Sequence, residues 1–501
     1  MSNDAMREQA AVSGEAQERT RDLSEFADIL NQEIKPRTDE GKRSVEKALS
    51  ALIGEAMEDQ TLIDGNVLST LDAMLARLDK KLSDQTNAIL HDPTFQEFES
   101  TWRGLAYTLR NSETDASLQV KVLNMSKEEL ADMAIDYSDD DWEMSPMHQM
   151  VYEQNLGTLG GMPFGCIVGD YYFDHGAADV NTLRFMGKIS EASLAPFIAG
   201  TAPTLFGRDS WNELTEIPVL DELFLNAEYA GWNSLRESDN ARFLAMAMPR
   251  AMARMPYGPD STSRVKEFSF IEETDGHEGT QYGWMNAAHC MAVNINRAFK
   301  EHGWTVRIRG VTSGGEVTNL PVHTFDTGDG AKDMKCPTEI SITDRREGEL
   351  SKAGLLGLIH RQNTDKAAFI GAQTLFQPKE FVDDEATSSS NMSSRLPYIF
   401  AVSRFGHYLK AMVRDKIGQS PTRAQLETDL QAWINKYVTG NPESATEMEK
   451  AKKPLAGAKV EVIEDDLNPG YYTGKFYLKP HFQMEGMDIG MSLVSKLPAK
   501  K

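Results

Sequence analysis

The chain has 501 residues, 40% of them apolar, which suits two to four domains around a large core. Its net charge of −24 argues against nucleic acid as the main partner, because phosphate contacts need Lys and Arg. No apolar run is long enough to cross a bilayer, and Cys166, Cys290 and Cys336 are spaced for neither zinc nor a disulfide framework.

The first twenty residues are polar and small, with no basic-then-apolar export signal, so a cytoplasmic protein with a disordered start is expected. Leu23, Phe26, Leu30 and Ile34 then mark one face of a short helix that stops before Pro36. After a polar linker, Val45, Leu49, Leu52, Ile53 and Ala56 mark a second helix. Leu68, Leu71, Leu75, Leu78 and Leu82 give a third the three-four spacing of a helical seam. Asp92-Pro93 reads as a cap and first-turn proline opening a helix with Phe98, Trp102, Leu105 and Leu109.

Strand character is expected over 117–125 (SLQVKVLNM), followed by a Ser126–Glu129 capping box. A buried strand is expected within 163–173, and helix mixed with the apolar segment LAPFIAG up to Phe206. The Ala- and Met-rich stretch 242–258 reads as helical, and 284–299 as an amphipathic segment. WTVRIRG reads as a strand before a Gly-rich turn at 313–315, and CPTEISITD, GLLGLIH and AAFIGAQ alternate over 336–376. The fold class is therefore mixed α/β (α+β), without a clean βαβ repeat. The low-complexity stretch 383–394 is the best internal boundary. It divides an arm (1–60) and a body (61–385) from a C-terminal domain (386–501). From Ala386 onward there are 16 basic and 12 acidic residues, against 36 and 64 before it.

Two further helices lead to closing strands. Tyr472, Phe476, Leu478 and Phe482 fall on one face of a strand, and Met487, Ile489, Met491 and Leu493 on one face of the next, with Gln483–Gly486 as the turn. A lone hairpin is marginal in water, so it needs a further strand. That strand comes either from 459–463 of the same chain or from another subunit.

No residues assemble into an active site. Phosphate-loop, dinucleotide, zinc-protease and serine-hydrolase motifs are absent. GTLGGMPFG (157–165) lacks a lysine and precedes a strand, the reverse of an anion cradle. Asp170, Asp174 and His175 read as a strand end with its turn, and 343–347 as a structural ion-pair cluster. His289 and Cys290 are neighbours on a helix and point about 100° apart. No enzyme, metal or cofactor is expected.

Several collinear blocks carry a resemblance: FQEFESTWRGLAYTL, PFGCIVGDYYFDH, APFIAGTAPTLFG, DNARFLAMAMPR, KCPTEISITDRREGELSKAGLLGLIH, SSRLPYIFAVSRFGHYLKAMVRDKIG and NPGYYTGKFYLKPHFQMEGMDIGMSLVSKLP. From about Ser24 to the end the chain resembles the large sheath subunit of the bacterial type VI secretion system, the TssC/VipB/EvpB family. The rival is a sheath subunit of a phage-tail-like contractile injection machine. The resemblance implies a structural protein that pairs with a small sheath subunit (the TssB/VipA family) and stacks with other copies into a helical tube. That tube surrounds an Hcp inner tube, meets a baseplate, and is dismantled by the AAA+ unfoldase ClpV. It implies that Tyr472–Phe482 and Met487–Leu493 are inter-subunit strands, and that Phe26, Leu30 and Ile34 are candidates for unfoldase docking. The linkers 465–470 and 483–486 are the expected flexible points.

Overall fold

The structure, a computed structural model, describes residues 67–138, 140–258, 270–328, 330–416, 422–464 and 472–481, with Glu40, Arg43, Lys47, Phe268 and Gln483. The chain divides into two compact units, residues 1–92 with 256–273 and residues 93–255 with 274–501. The expected boundary near Ala386 lies inside the second.

In the first unit, α1 (Val67–Leu90) ends where Asn87 accepts from the Glu273 amide at 3.2 Å and His91 faces Glu272 at 3.6 Å. The predicted seam of this helix stays open at Leu75 and Leu82, which are 45% and 53% exposed.

In the second unit, α2 (Pro93–Arg110) begins at the predicted proline. The strands are β1 (Ile167–Phe173), β2 (Phe197–Thr201), β3 (Leu244–Met248), the pair β4 (Ala251–Met252) and β5 (Trp284–Met285), and β6 (Glu316–Val317). After the hairpin β7 (His323–Asp326) and β8 (Lys332–Lys335) come β9 (Leu355–His360), β10 (Ala367–Phe369), β11 (Leu455–Glu464) and β12 (Tyr472–Pro480). One six-stranded sheet runs in the order β1-β2-β3-β9-β10-β6. Its first four strands are parallel, and β10 is antiparallel to both neighbours.

Both faces of this sheet are covered, so its central strands are apolar throughout. The side-chain period of two sorts them into layers. Phe197, Ala199, Leu244, Met246 and Met248 join one core with Leu183, Met186 and Ile189 of the crossover helix α3 (Ala177–Ser193). Ile198, Ala245 and Ala247 join another, against Ala288, Met291 and Ile295 of α4 (Ala287–His302). The mixed α/β class holds.

Three local expectations are corrected. Residues 244–248 and 251–252 form strands, not helix. LAMAM has helix-forming residues, but burial on both faces overrides that weak preference. Residues 117–125 form no regular strand, and Val120, Val122 and Leu123 are exposed, since no neighbouring strand pairs with them among the described residues. WTVRIRG (304–310) also forms no regular strand. Its Trp304 and Val306 are instead drawn into a third core.

That third core joins α5 (Leu396–Asp415), α6 (Arg423–Asn435) and the β11–β12 sheet. Trp304 stacks on Phe405 at 4.3 Å between ring centroids. A capping box, Thr422 with Gln425, opens α6.

Candidate strand-pairing interface

β12 pairs antiparallel with β11 from Leu455↔Pro480 to Glu464↔Tyr472. Self-pairing, one of the two open readings of the closing strand, is thus present within the chain. Phe476 and Leu478 turn inward to the third core, while Lys475, Tyr477 and Lys479 face out. Gly474 leaves room for the Phe476 ring, which a Cβ there would meet at 2.9 Å. On the outer face, Lys459 pairs with Glu461 at 2.6 Å. The hydrogen bond from Lys459 holds the Glu461 carboxyl below the usual range.

The two outer edges of this sheet differ. On β11, Val460 N–H donates to Gln431 Oε1 at 2.8 Å, Val462 N–H to Glu427 Oε2 at 3.4 Å, and Gln431 Nε2 to the Ala458 carbonyl at 3.1 Å. Side chains of α6 thereby seal the edge that a further strand would use. These bonds also fix the phase of the ladder. Val460 and Val462 point their amides away from β12, so the residues opposite them, Phe476 and Gly474, sit in non-hydrogen-bonded pairs. By the same alternation Gly474, Phe476 and Leu478 direct their N–H and C=O groups to the far side of β12. Among the described residues no strand pairs there.

Just past β12 the described residues His481 and Gln483 are tied to the body of the domain. His481 N–H donates to the Pro454 carbonyl, and the His481 ring lies between Thr439 Oγ1 (2.9 Å) and the Lys453 carbonyl (3.0 Å). Burial lowers the affinity of this imidazole for a proton. Gln483 N–H donates to the Tyr398 hydroxyl, its Nε2 to the Val306 carbonyl, and its Oε1 accepts from Arg309. Gln483 was expected to open a flexible turn; three hydrogen bonds make it an anchor. The linker 465–470 lies outside the described residues, as do Phe482, Met487, Ile489, Met491 and Leu493, and also Phe26, Leu30 and Ile34. Tyr472, Phe476 and Leu478 stand together in β12.

The residues considered for chemistry make contacts within the fold. Asp174 accepts from Gly176 N–H and Thr204 Oγ1, and the His175 ring lies 4.4 Å from that of Tyr229. Thr108, His289 and Asp170 stand in a row, with 3.0 Å between Thr108 Oγ1 and His289 Nδ1 and 3.6 Å between His289 Nε2 and Asp170. The Thr108 hydroxyl donates to the Gly104 carbonyl at 3.1 Å, and the residue is buried. Burial would raise the Asp170 pKa, but the neighbouring His289 ring, with the polar groups of Thr101 and Asn286, holds it below the usual range. No cluster of metal-ligating side chains occurs among the described residues. Thr343 caps the helix Asp344–Lys352, within which Arg346 pairs with Glu349 at 2.8 Å. The sealing role of Gln431 and Glu427 escaped sequence reading. Nothing in a helix pattern says that two polar residues will meet a strand edge about thirty positions later.

A family model described as VipB, the EvpB/VC_A0108 tail sheath N-terminal domain, matches residues 72–376, and one for the tail sheath gpW/gp25-like domain matches residues 385–497. The type VI secretion system sheath protein TssC1 of Pseudomonas aeruginosa is 50% identical over 487 residues, covering 97% of this chain and 98% of the relative. Among solved structures, an anti-feeding prophage baseplate chain aligns with a TM-score of 0.40 and 10% identity, over 78% of this chain and 86% of that one. A chain of the contracted helical sheath of that prophage aligns with a TM-score of 0.27 and 12% identity, over 76% and 97%. At these TM-scores the likeness carries no argument.

Proposed function

Since the chain belongs to the EvpB/VC_A0108 tail sheath family and is a contractile-sheath subunit of type VI secretion, we propose that it pairs with the small sheath subunit and polymerises around an Hcp inner tube in the cytoplasm. Contraction of that polymer drives tube and spike out of the cell. The role is structural, with no catalysis by this chain. Residues 386–501 act as the linking domain and 61–385 as the sheath body, with the baseplate at one end of the polymer.

The observation that supports this reading best is the asymmetry of the β11–β12 sheet. One edge is sealed by α6, and on the other no strand among the described residues pairs with Gly474, Phe476 and Leu478. Strand addition to such an edge links chains through main-chain hydrogen bonds and asks little of side chains. Such links stay paired while the α/β bodies move from loose to dense lateral packing, so subunits rotate without separating. Met487–Leu493 supplies a second linking strand to a neighbour.

Deleting Met487–Lys501 is expected to leave a heterodimer with the small subunit that forms no sheaths by electron microscopy; normal sheaths would remove the tail from the linkage. The segment 23–34 docks the unfoldase ClpV through Phe26, Leu30 and Ile34. Phe26→Asp with Leu30→Asp is therefore expected to permit contraction and block disassembly. An unchanged pull-down with the unfoldase would end that part of the proposal.

A further inference from the structure

The edge of β12 that no strand among the described residues covers is flanked by cations on both faces of the sheet. Lys475 and Lys479 are exposed on the outer face. On the inner side a groove of about 680 Å³ runs between the edge and α5, lined by Tyr152, Leu409, Lys410, Arg414, Gly474 and Phe476. Lys410 Nζ donates to the Tyr152 hydroxyl at 2.6 Å and lies 4.4 Å from the centre of its ring. Arg414 donates to the Leu156 carbonyl at 3.1 Å, while its Nε is buried without a partner. Among the described residues none of these four cations is within ion-pair distance of a carboxylate. Glu153 lines the groove too, and Glu461 lies opposite Lys475 but is taken by Lys459.

Resting on the strand-addition reading, we propose that this edge is a receptor for an acidic strand. The occupant is an extended segment of another chain that hydrogen-bonds to Gly474, Phe476 and Leu478. It sets carboxylates beside Lys475 and Lys479 on the outer face and against Lys410 and Arg414 in the groove, with apolar contact to Leu409 and Phe476. Opposite charges across neighbouring strands stabilise the pairing. Lysines on an open edge also repel a second cationic edge, so the same residues select an acidic strand and discourage two β12 edges from meeting.

The test uses the full chain with two fluorescent ten-residue peptides, one alternating valine with glutamate and the other valine with lysine. The glutamate peptide is expected to bind, to weaken at high salt, and to slow amide exchange at Phe476 and Leu478. The lysine peptide is expected not to bind. Lys410→Glu with Arg414→Glu, and separately Lys475→Glu with Lys479→Glu, should each weaken the glutamate peptide at least tenfold. The second pair is exposed and carries the test if the first misfolds. Equal binding of both peptides, or indifference to the reversals, overturns the acidic preference while protection at Phe476 and Leu478 preserves strand addition. Binding without that protection overturns strand addition itself. If the two amides already exchange slowly in the free chain and speed up on deletion of 484–501, the chain's own tail fills the edge and the proposal falls.

Discussion

His407 shows how a single residue couples this fold to pH. It sits on α5 with its Nε2 2.8 Å from the Ser193 carbonyl, and its Nδ1 is buried without a partner. Burial, reinforced by nearby Arg404 and Lys410, pushes its pKa down to about 4 despite the bond to Ser193. The fold therefore holds the neutral ring, whereas the unfolded chain takes up a proton near pH 6.5. Stability from this group is complete above about pH 6.5 and is lost as pH falls toward 4, a change of about 3 kcal/mol. His302, His360 and His481 are lowered in the same direction. Thermal denaturation at pH 7.5 and pH 5 should show a lower midpoint in acid, and His407→Gln should flatten that difference. An unchanged slope in the variant would contradict the assignment. No sequence pattern marks His407 as buried, because its environment is made by Ser193, more than two hundred residues earlier.

At the scale of elements, legibility followed how local the cause was. The Ser126–Glu129 capping box appears as expected because it needs only residues three apart. Most of the amphipathic stretch at 284–299 becomes α4, after the short strand β5 at Trp284–Met285, and Leu396–Asp415 becomes a helix, because each helix has a face to bury. β3 was misread because a strand covered on both faces has no alternation, and its Ala and Met residues also suit a helix. The segment 117–125 was misread for the opposite reason, since its alternation has no neighbouring strand among the described residues to satisfy. The edge of β11 depends on contacts that only the fold creates. Gln431→Leu removes an acceptor from Val460 N–H and a donor from the Ala458 carbonyl. It should cost about 1–3 kcal/mol and open a second strand edge. Urea titration would read the first effect and light scattering the second, as concentration-dependent association. A variant as stable and as monodisperse as the parent would show that α6 does not guard this edge.

At the scale of the molecule, the family was legible before the fold, because many short blocks in fixed order are more specific than any one motif. The three-layer body was only partly legible, and the linking residues least so. Alternation alone puts Phe476 and Leu478 on a strand, yet which edge of β12 is left without a strand among the described residues depends on α6. The charge contrast between residues 386–501 and the acidic remainder of the chain is what the proposed linking domain would need to meet acidic neighbours head to tail. The most direct test is cryo-electron microscopy of sheaths assembled from this chain and its small subunit. The expected result is a strand from another chain hydrogen-bonded to Gly474, Phe476 and Leu478, with β11 still sealed by Gln431 and Glu427. A sheath in which the β12 edge faces solvent would contradict it.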